Sequence, residues 1–229
     1  MSLHLAVFDM IGTTVAAGPE VSEAFFAAFA GKVIALSPSD VDGVRGRSKR
    51  EAVEALVHAH RPDEANRERL AEEIYAAFRS TLRARYETGS RAVPGARSTL
   101  EELQARGTRI ILTTGLDRET ATAIVRGLGW ESLRIDGVLT GDDVARGRPA
   151  PDLIHASMAR VGEADPSAVL VAGDTVSDLR AAASAKAGWS VGVASGAHSR
   201  AQLEQEPHSI ILGSVADLPG WLSEQGVFG

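Results

Sequence analysis

Six short apolar runs, most of them closed by Gly, Asp or Thr, recur along the chain: Leu3–Phe8, Arg109–Leu112, Gly137–Leu139, Ala168–Ala172, Trp189–Val193 and Ser209–Leu212. Runs this short, with little alternation of polar and apolar residues, suit strands buried on both faces. Between most of them lie segments with helical spacing: Ala96–Arg106, Asp117–Leu128, Pro151–Val161, Val176–Ala187 and Ser199–Glu206. Alternating strands and helices predict an α/β protein, a Rossmann-like parallel-sheet core with helices on both faces. Open parallel sheets take ligands beyond the carboxyl ends of their strands. The chemistry of this chain is therefore expected there.

One segment departs from the pattern. Residues 16–90 carry long helical patterns (Glu20–Ala30, Lys49–Ala59, Pro62–Tyr86) and no convincing strand. They read as an inserted α-helical domain between core segments 1–15 and 91–229, with Ala16–Pro19 and Thr88–Pro94 as linkers. Composition narrows the function. Among 229 residues there is no Cys, which excludes a disulfide framework, a thiolate nucleophile and a Cys-held cluster. The net charge of −6 argues against a nucleic-acid partner, whose binding rests on neutralising phosphates. A small phosphorylated molecule remains compatible wherever positive charge is local. The apolar start is too short and lacks the basic flank of a signal peptide, and no apolar run approaches the ~20 residues of a spanning helix. The expectation is a cytoplasmic protein without a membrane partner, monomeric or homodimeric.

The first run ends in Phe8-Asp9-Met10-Ile11-Gly12-Thr13-Thr14. A carboxylate directly after a buried strand, with Gly three residues on, can approach a ligand closely; it can equally start a turn. The run Ala168–Ala172 leads into Gly173-Asp174-Thr175-Val176-Ser177-Asp178. Its two carboxylates either converge above the strand end or favour a helix N-terminus. Both motifs together call for one explanation, because three carboxylates at one sheet edge repel unless a hard cation sits among them. Oxygen-only ligation points to Mg²⁺. Thr113-Thr114-Gly115 closes the second run and offers hydroxyl and amide to an oxyanion, or plain turn chemistry. Gly147-Arg148-Pro149-Ala150-Pro151 places a cation between prolines just before a helix, which also suits an exposed helix start.

In this order the four motifs resemble those of haloacid dehalogenase superfamily hydrolases, and residues 16–90 sit where that superfamily carries its C1 cap. The resemblance implies that Asp9 attacks phosphorus and forms an aspartyl-phosphate. It implies Mg²⁺ held by Asp9, Asp174 and the backbone oxygen of Ile11, with Asp178 supporting it directly or through water. Thr114 and Arg148 would steady the phosphoryl group, and Gly12, Thr13 and Gly115 are the expected substrate contacts. Most phosphatases of the superfamily carry a second Asp two residues after the nucleophile, which protonates the leaving alkoxide. Here that position is Ile11, which has no proton to give.

Asp9 to Thr14, Thr113 to Gly115, Arg148 in place of the usual Lys, and the full Gly173–Asp178 segment resemble the phosphonatase branch, the phosphonoacetaldehyde hydrolases. That branch forms an imine on a cap Lys in Gly-x-x-Lys, which Gly46-Arg47-Ser48-Lys49 supplies here. Arg45, Arg47, Lys49 and Arg50 lie within six residues free of acids. Adjacent cations lower a Lys pKa and favour the neutral amine. The same cluster suits a phosphate clamp, with Arg47 as a substrate contact, or a solvated helix start. The chain departs from the branch at Ala52, where a His is expected, and at Leu116 in place of Tyr. The expectation is thus a Mg²⁺-dependent hydrolase of a small phosphonate or organophosphate, phosphonatase-like. A phosphomonoester phosphatase and a catalytically weak ligand-binding protein are the alternatives. Of the remaining residues, His58 and His60 face different sides of a helix, Phe25, Phe26 and Phe29 form a helical core or a dimer contact, and His198 sits in a loop after a strand, a candidate neighbour of the site.

Overall fold

The computed structural model describes residues 2–87 and 89–228. Met1, Thr88 and Gly229, where the expected core ends lie and the second linker begins, are outside the described residues. Six parallel strands form one sheet: β1 (Leu5–Asp9), β2 (Arg109–Thr113), β3 (Gly137–Leu139), β4 (Val169–Gly173), β5 (Trp189–Val193) and β6 (Ile210–Leu212). Their order is β3-β2-β1-β4-β5-β6, so the chain reverses direction across the sheet at β1. The carboxyl ends of β1 and β4 flank that switch point.

Alternating side chains divide between the two faces, as strand geometry requires. Leu5 and Val7 pack with Ile111, Val169 and Val171 under α7 (Asp152–Val161) and α8 (Val176–Ala185). Ala6 and Phe8 pack with Leu112, Leu170 and Val191 on the opposite face, with α5 (Ala96–Ala105) and α10 (Leu218–Glu224), while the short α9 (Arg200–Leu203) lies between β5 and β6 in the chain. A strand buried on both sides can shift neither register nor face without exposing a full row of apolar side chains. That constraint holds Asp9 in register with Thr113 at the carboxyl edge.

Between β1 and α5 run α1 (Glu20–Ala30), α2 (Pro38–Gly43), α3 (Lys49–His60) and α4 (Arg67–Glu87). Apolar residues at helical spacing bring them together: Ala52, Val53, Leu56 and Val57 on α3 are all buried, and Phe25 of α1 meets Phe78 of α4 at 4.5 Å between ring centroids. Phe29 is buried beside them and Phe26 is half-buried, so this aromatic cluster is core. The two chain passages joining these helices to the sheet run side by side, Ala16 donating to the Arg91 carbonyl at 2.8 Å and Val93 to that of Thr14 at 3.0 Å. Helix α4 also rests on α6 (Arg118–Gly127), whose N-terminus is capped by Asp117. Among the described residues no helix is long and apolar enough to cross a membrane.

Candidate active site

Beyond Asp9 the chain folds back at once. The Met10 carbonyl accepts from the amides of Thr13, Thr14 and Val15 at 3.2, 2.9 and 2.8 Å, and no hydrogen bond reaches the Ile11 carbonyl among the described residues. Gly12 adopts φ +97°, and a Cβ there would stand 2.2 Å from Asp174 Oδ2. Backbone conformation and crowding both exclude a side chain at that position. The Thr13 hydroxyl, fully buried, donates to Asp174 Oδ1 at 3.4 Å.

Asp174 follows β4 and faces the same crevice. Its Oδ2 accepts from the Ala197 amide at 2.6 Å, in the loop after β5, and Ser195 Oγ of that loop donates to the Gly12 carbonyl at 2.8 Å. Burial, and after it the charge of Asp9, push the Asp174 carboxyl up to about 7. Asp178 is differently engaged. Its Oδ2 accepts from the Thr175 amide at 3.0 Å and the Thr175 hydroxyl at 2.5 Å, closing a capping box at the start of α8. Its Oδ1 pairs with Arg148 Nη1, which also stands 2.6 Å from Asp9 Oδ1. Arg148 therefore bridges Asp9 and Asp178, and its buried Nε has no hydrogen-bond partner among the described residues.

The third strand end is Thr114-Gly115. The Thr114 amide donates to the Leu139 carbonyl at 2.9 Å, and Thr114 Oγ1 accepts from the Leu116 amide at 3.2 Å, which leaves its hydroxyl proton free to donate. The Gly115 carbonyl accepts from the Lys49 amide at 2.8 Å, which ties the start of α3 directly to the sheet edge. Close backbone approaches make that docking possible. A Cβ on Gly115 would lie 2.3 Å from the Arg47 carbonyl, and one on Gly46 (φ +75°) would lie 2.3 Å from Thr175 Oγ1.

Lys49 is thereby drawn under the helices. Its side chain is buried, and Nζ donates to the Arg47 carbonyl at 3.2 Å. Burial first, then the charges of Arg148 and Arg45, lower its pKa to about 8, against the opposing pull of Asp9 and Asp174. Its neighbours in the basic cluster diverge. Arg45 lines the cavity and pairs through Nε with Asp42 at 2.7 Å. Arg50 turns away to pair with Glu72 and lie 4.6 Å over the Tyr75 ring. Arg47 contributes its carbonyl, while its half-buried side chain is not part of the cavity wall.

A cavity open to solvent joins these groups. Asp9, Ile11, Lys49, Thr114, Gly115, Arg148 and Asp174 all line it. Thr13 and Asp178 act on it through Asp174 and Arg148, and Gly12 through the space it leaves. The loop from Ser195 to His198 and the carboxylate of Glu51, which accepts from the Gly147 amide at 2.8 Å, were not singled out from sequence for these contacts. Neither segment carries a local signal for them beyond the position of His198 after a strand. His198 Nδ1 accepts from the Val176 amide at 2.9 Å, and burial lowers its pKa. His60 pairs with Asp40 at 3.3 Å, and neither side chain lines this cavity.

The donor set fits a hard cation. Among the described residues no three His, Cys, Asp or Glu side chains form a metal-holding group. A cation here would rest on Asp9, Asp174 and the unengaged Ile11 carbonyl, all oxygen donors. Mg²⁺ is typically held by one or two carboxylates and keeps several waters.

Comparison with known proteins places this geometry in a family. The family model for haloacid dehalogenase-like hydrolases matches residues 3–186. A phosphonoacetaldehyde hydrolase from Bacteroides fragilis is 31% identical over 217 residues, covering 91% of this chain and 82% of the relative. The crystal structure of a hydrolase from Pseudomonas syringae superposes with a TM-score of 0.85 at 26% identity, over 96% of this chain and 98% of the other. A phosphonoacetaldehyde hydrolase-like protein from Oleispira antarctica shares the fold at a TM-score of 0.86 and 17% identity, over 98% and 92% of the two chains. The chain belongs to the haloacid dehalogenase-like hydrolases.

Proposed function

We propose that this hydrolase cleaves the P–C bond of a small phosphonate bearing a carbonyl on the carbon next to that bond, using Asp9 as nucleophile and Lys49 as an imine-forming amine. One observation carries the reading: a buried lysine with a pKa near 8 lines the same cavity as the strand-end carboxylate. At pH 7 about a tenth of such an amine is neutral, roughly 300-fold more than for an unperturbed lysine. Similarity to phosphonoacetaldehyde hydrolases over most of the chain supports it further.

The residues divide the work. Lys49 Nζ adds to the carbonyl and water leaves, giving an imine that accepts a proton. Asp9 attacks phosphorus, the P–C bond breaks, and its electron pair moves into the protonated imine to give an enamine. No acid beside Asp9 is required for that leaving group, which accounts for Ile11. Water then cleaves the aspartyl-phosphate, and protonation and hydrolysis of the enamine release the carbonyl product and free Lys49. Arg148, which lines the cavity, would balance the charge of the phosphonyl oxygens, and Thr114 would donate its free hydroxyl proton to them. Mg²⁺ held by Asp9, Asp174 and the Ile11 carbonyl would supply the charge neutralisation that a weak carboxylate nucleophile needs against an anion. In this reading α1–α4 are the cap that brings Lys49 over the core.

The test is reductive trapping. Borohydride added with phosphonoacetaldehyde should leave a mass adduct on Lys49, and Lys49→Arg should lose phosphate release from it by 10³-fold or more, because Arg keeps the charge but forms no imine. Undiminished phosphate release by Lys49→Arg would overturn the P–C reading and leave phosphate esters as the substrates.

A further inference from the structure

The cavity above Asp9 has two unlike halves. Its floor, at the strand ends, is polar: Asp9, Thr114, Arg148 and Asp174. Its apolar wall comes from α1 and α2 (Val21, Phe25, Val41, and Val44 at the end of α2) and from Ile11 and Leu116, each two residues beyond a polar group of the floor. Lys49 lines the same cavity, and Ala17 and Gly18 add to its apolar side. We infer that the substrate's carbonyl carries an apolar substituent of several carbons, seated against this wall, so that the enzyme favours long 2-oxoalkylphosphonates over the two-carbon aldehyde. The inference rests on the phosphonate reading and extends it to the part of the substrate that does not react.

The physical reason is desolvation. With phosphorus anchored at Asp9 and Arg148, and the carbonyl carbon at Lys49, a substituent that stays within the cavity lies against the apolar wall. A hydrogen-bonding group there would lose its water and meet only hydrocarbon, whereas an alkyl chain gains by leaving water. Arg45 is the exception on that side. Its Nε is held by Asp42 at 2.7 Å and its side chain is about one-third exposed, at the solvent edge of the cavity. Its guanidinium is thus paired with Asp42, although its charge still reaches Lys49.

Calorimetric titration of the Mg²⁺-loaded protein with methyl-, propyl- and pentylphosphonate separates the two readings, because none of these ligands needs the imine. Affinity should rise about fourfold for each methylene that enters the wall. A terminal carboxylate on the same chain length should weaken binding tenfold or more, and Val44→Ser should flatten the ratio of pentyl to methyl affinity. Binding of all three with equal affinity would overturn the apolar subsite while leaving the phosphonate reading standing. Tighter binding of the carboxylates would also overturn it, in favour of anion recognition by Arg45. Failure of all three to bind would reject the phosphonate reading, and the subsite with it.

Discussion

Replacing Lys49 by Met should stabilise the protein while removing its proposed reaction, and the size of the effect follows from burial. The side chain is only 9% exposed, and its pKa falls from 10.5 to about 8 on folding. Below pH 8 the amine is protonated in the folded and unfolded chains alike, so folding carries a desolvated charge inside. At 1.36 kcal/mol for each tenfold change in proton affinity, that costs about 3 kcal/mol. Between pH 8 and 10.5 the unfolded chain binds more protons than the folded one, so wild-type stability rises with pH relative to the variant. Above 10.5 both states are neutral and the difference closes. Met keeps the length and the apolar stem, and it carries no charge. Urea unfolding of the metal-free proteins at pH 7, 8, 9 and 10 would measure this, and subtracting the variant's curve cancels titrations that do not depend on Lys49. The expected offset at pH 7 is a midpoint about 1 M urea higher for Lys49→Met, for a slope near 3 kcal/mol per molar. Parallel stability curves across this pH range would refute the argument. They would mean that Lys49 reaches water, and the case for a neutral amine at physiological pH would fall with it.

Three further outcomes follow from the same geometry. Ile11→Asp should raise hydrolysis of phosphate esters about 10²-fold or more by supplying the missing acid, with little gain for P–C cleavage; unchanged ester turnover with Mg²⁺ still bound would show that the acid is not limiting. Asp174→Asn should weaken Mg²⁺ binding, read by calorimetry, more than Asp178→Asn, whose carboxylate is committed to Thr175 and Arg148; the reverse order would remove Asp174 from the proposed cation set. Glu51→Ala should lower kcat more than it raises KM, because its carboxylate holds the loop that carries Arg148, and Glu51→Gln should retain most activity through its remaining acceptor oxygen; equal losses in both variants would point to charge and exclude positioning.

Much of this molecule is legible along the chain because its signals are local. The run Trp189–Val193 coincides residue for residue with β5 and Glu20–Ala30 with α1, since burial on both faces or along one stripe writes itself into the order of apolar residues; Gly137–Leu139 coincides with the half-buried edge strand β3. Asp9 closes β1, and Thr114 and Asp174 stand directly after β2 and β4, so parallel strands bring all three to one edge. Elements with little apolar periodicity are less legible. Helix α2 buries only Val41 and is announced by its Ser37–Asp40 capping box, while α10 is a short terminal piece. Pro62–Tyr86 shortens to a helix beginning at Arg67, and Ser199–Glu206 to Arg200–Leu203.

The placement of the cations belongs to tertiary structure alone. Arg45, Arg47, Lys49 and Arg50 are equivalent as a charge run. Which of them enters the cavity depends on the Gly46 turn against Thr175, on the Lys49 amide bound to Gly115, and on Glu72 and Tyr75 drawing Arg50 away. Adjacent charge was the reason available in the sequence for a lowered lysine pKa. In the folded chain burial comes first and charge second, and burial arises only when α3 packs over a sheet edge whose strands are far apart in sequence. Composition and order determined a parallel α/β core with reactive groups at its strand ends. Only packing decided that a single lysine among four neighbouring cations would lose its water and face them, because desolvation depends on what surrounds an atom in space.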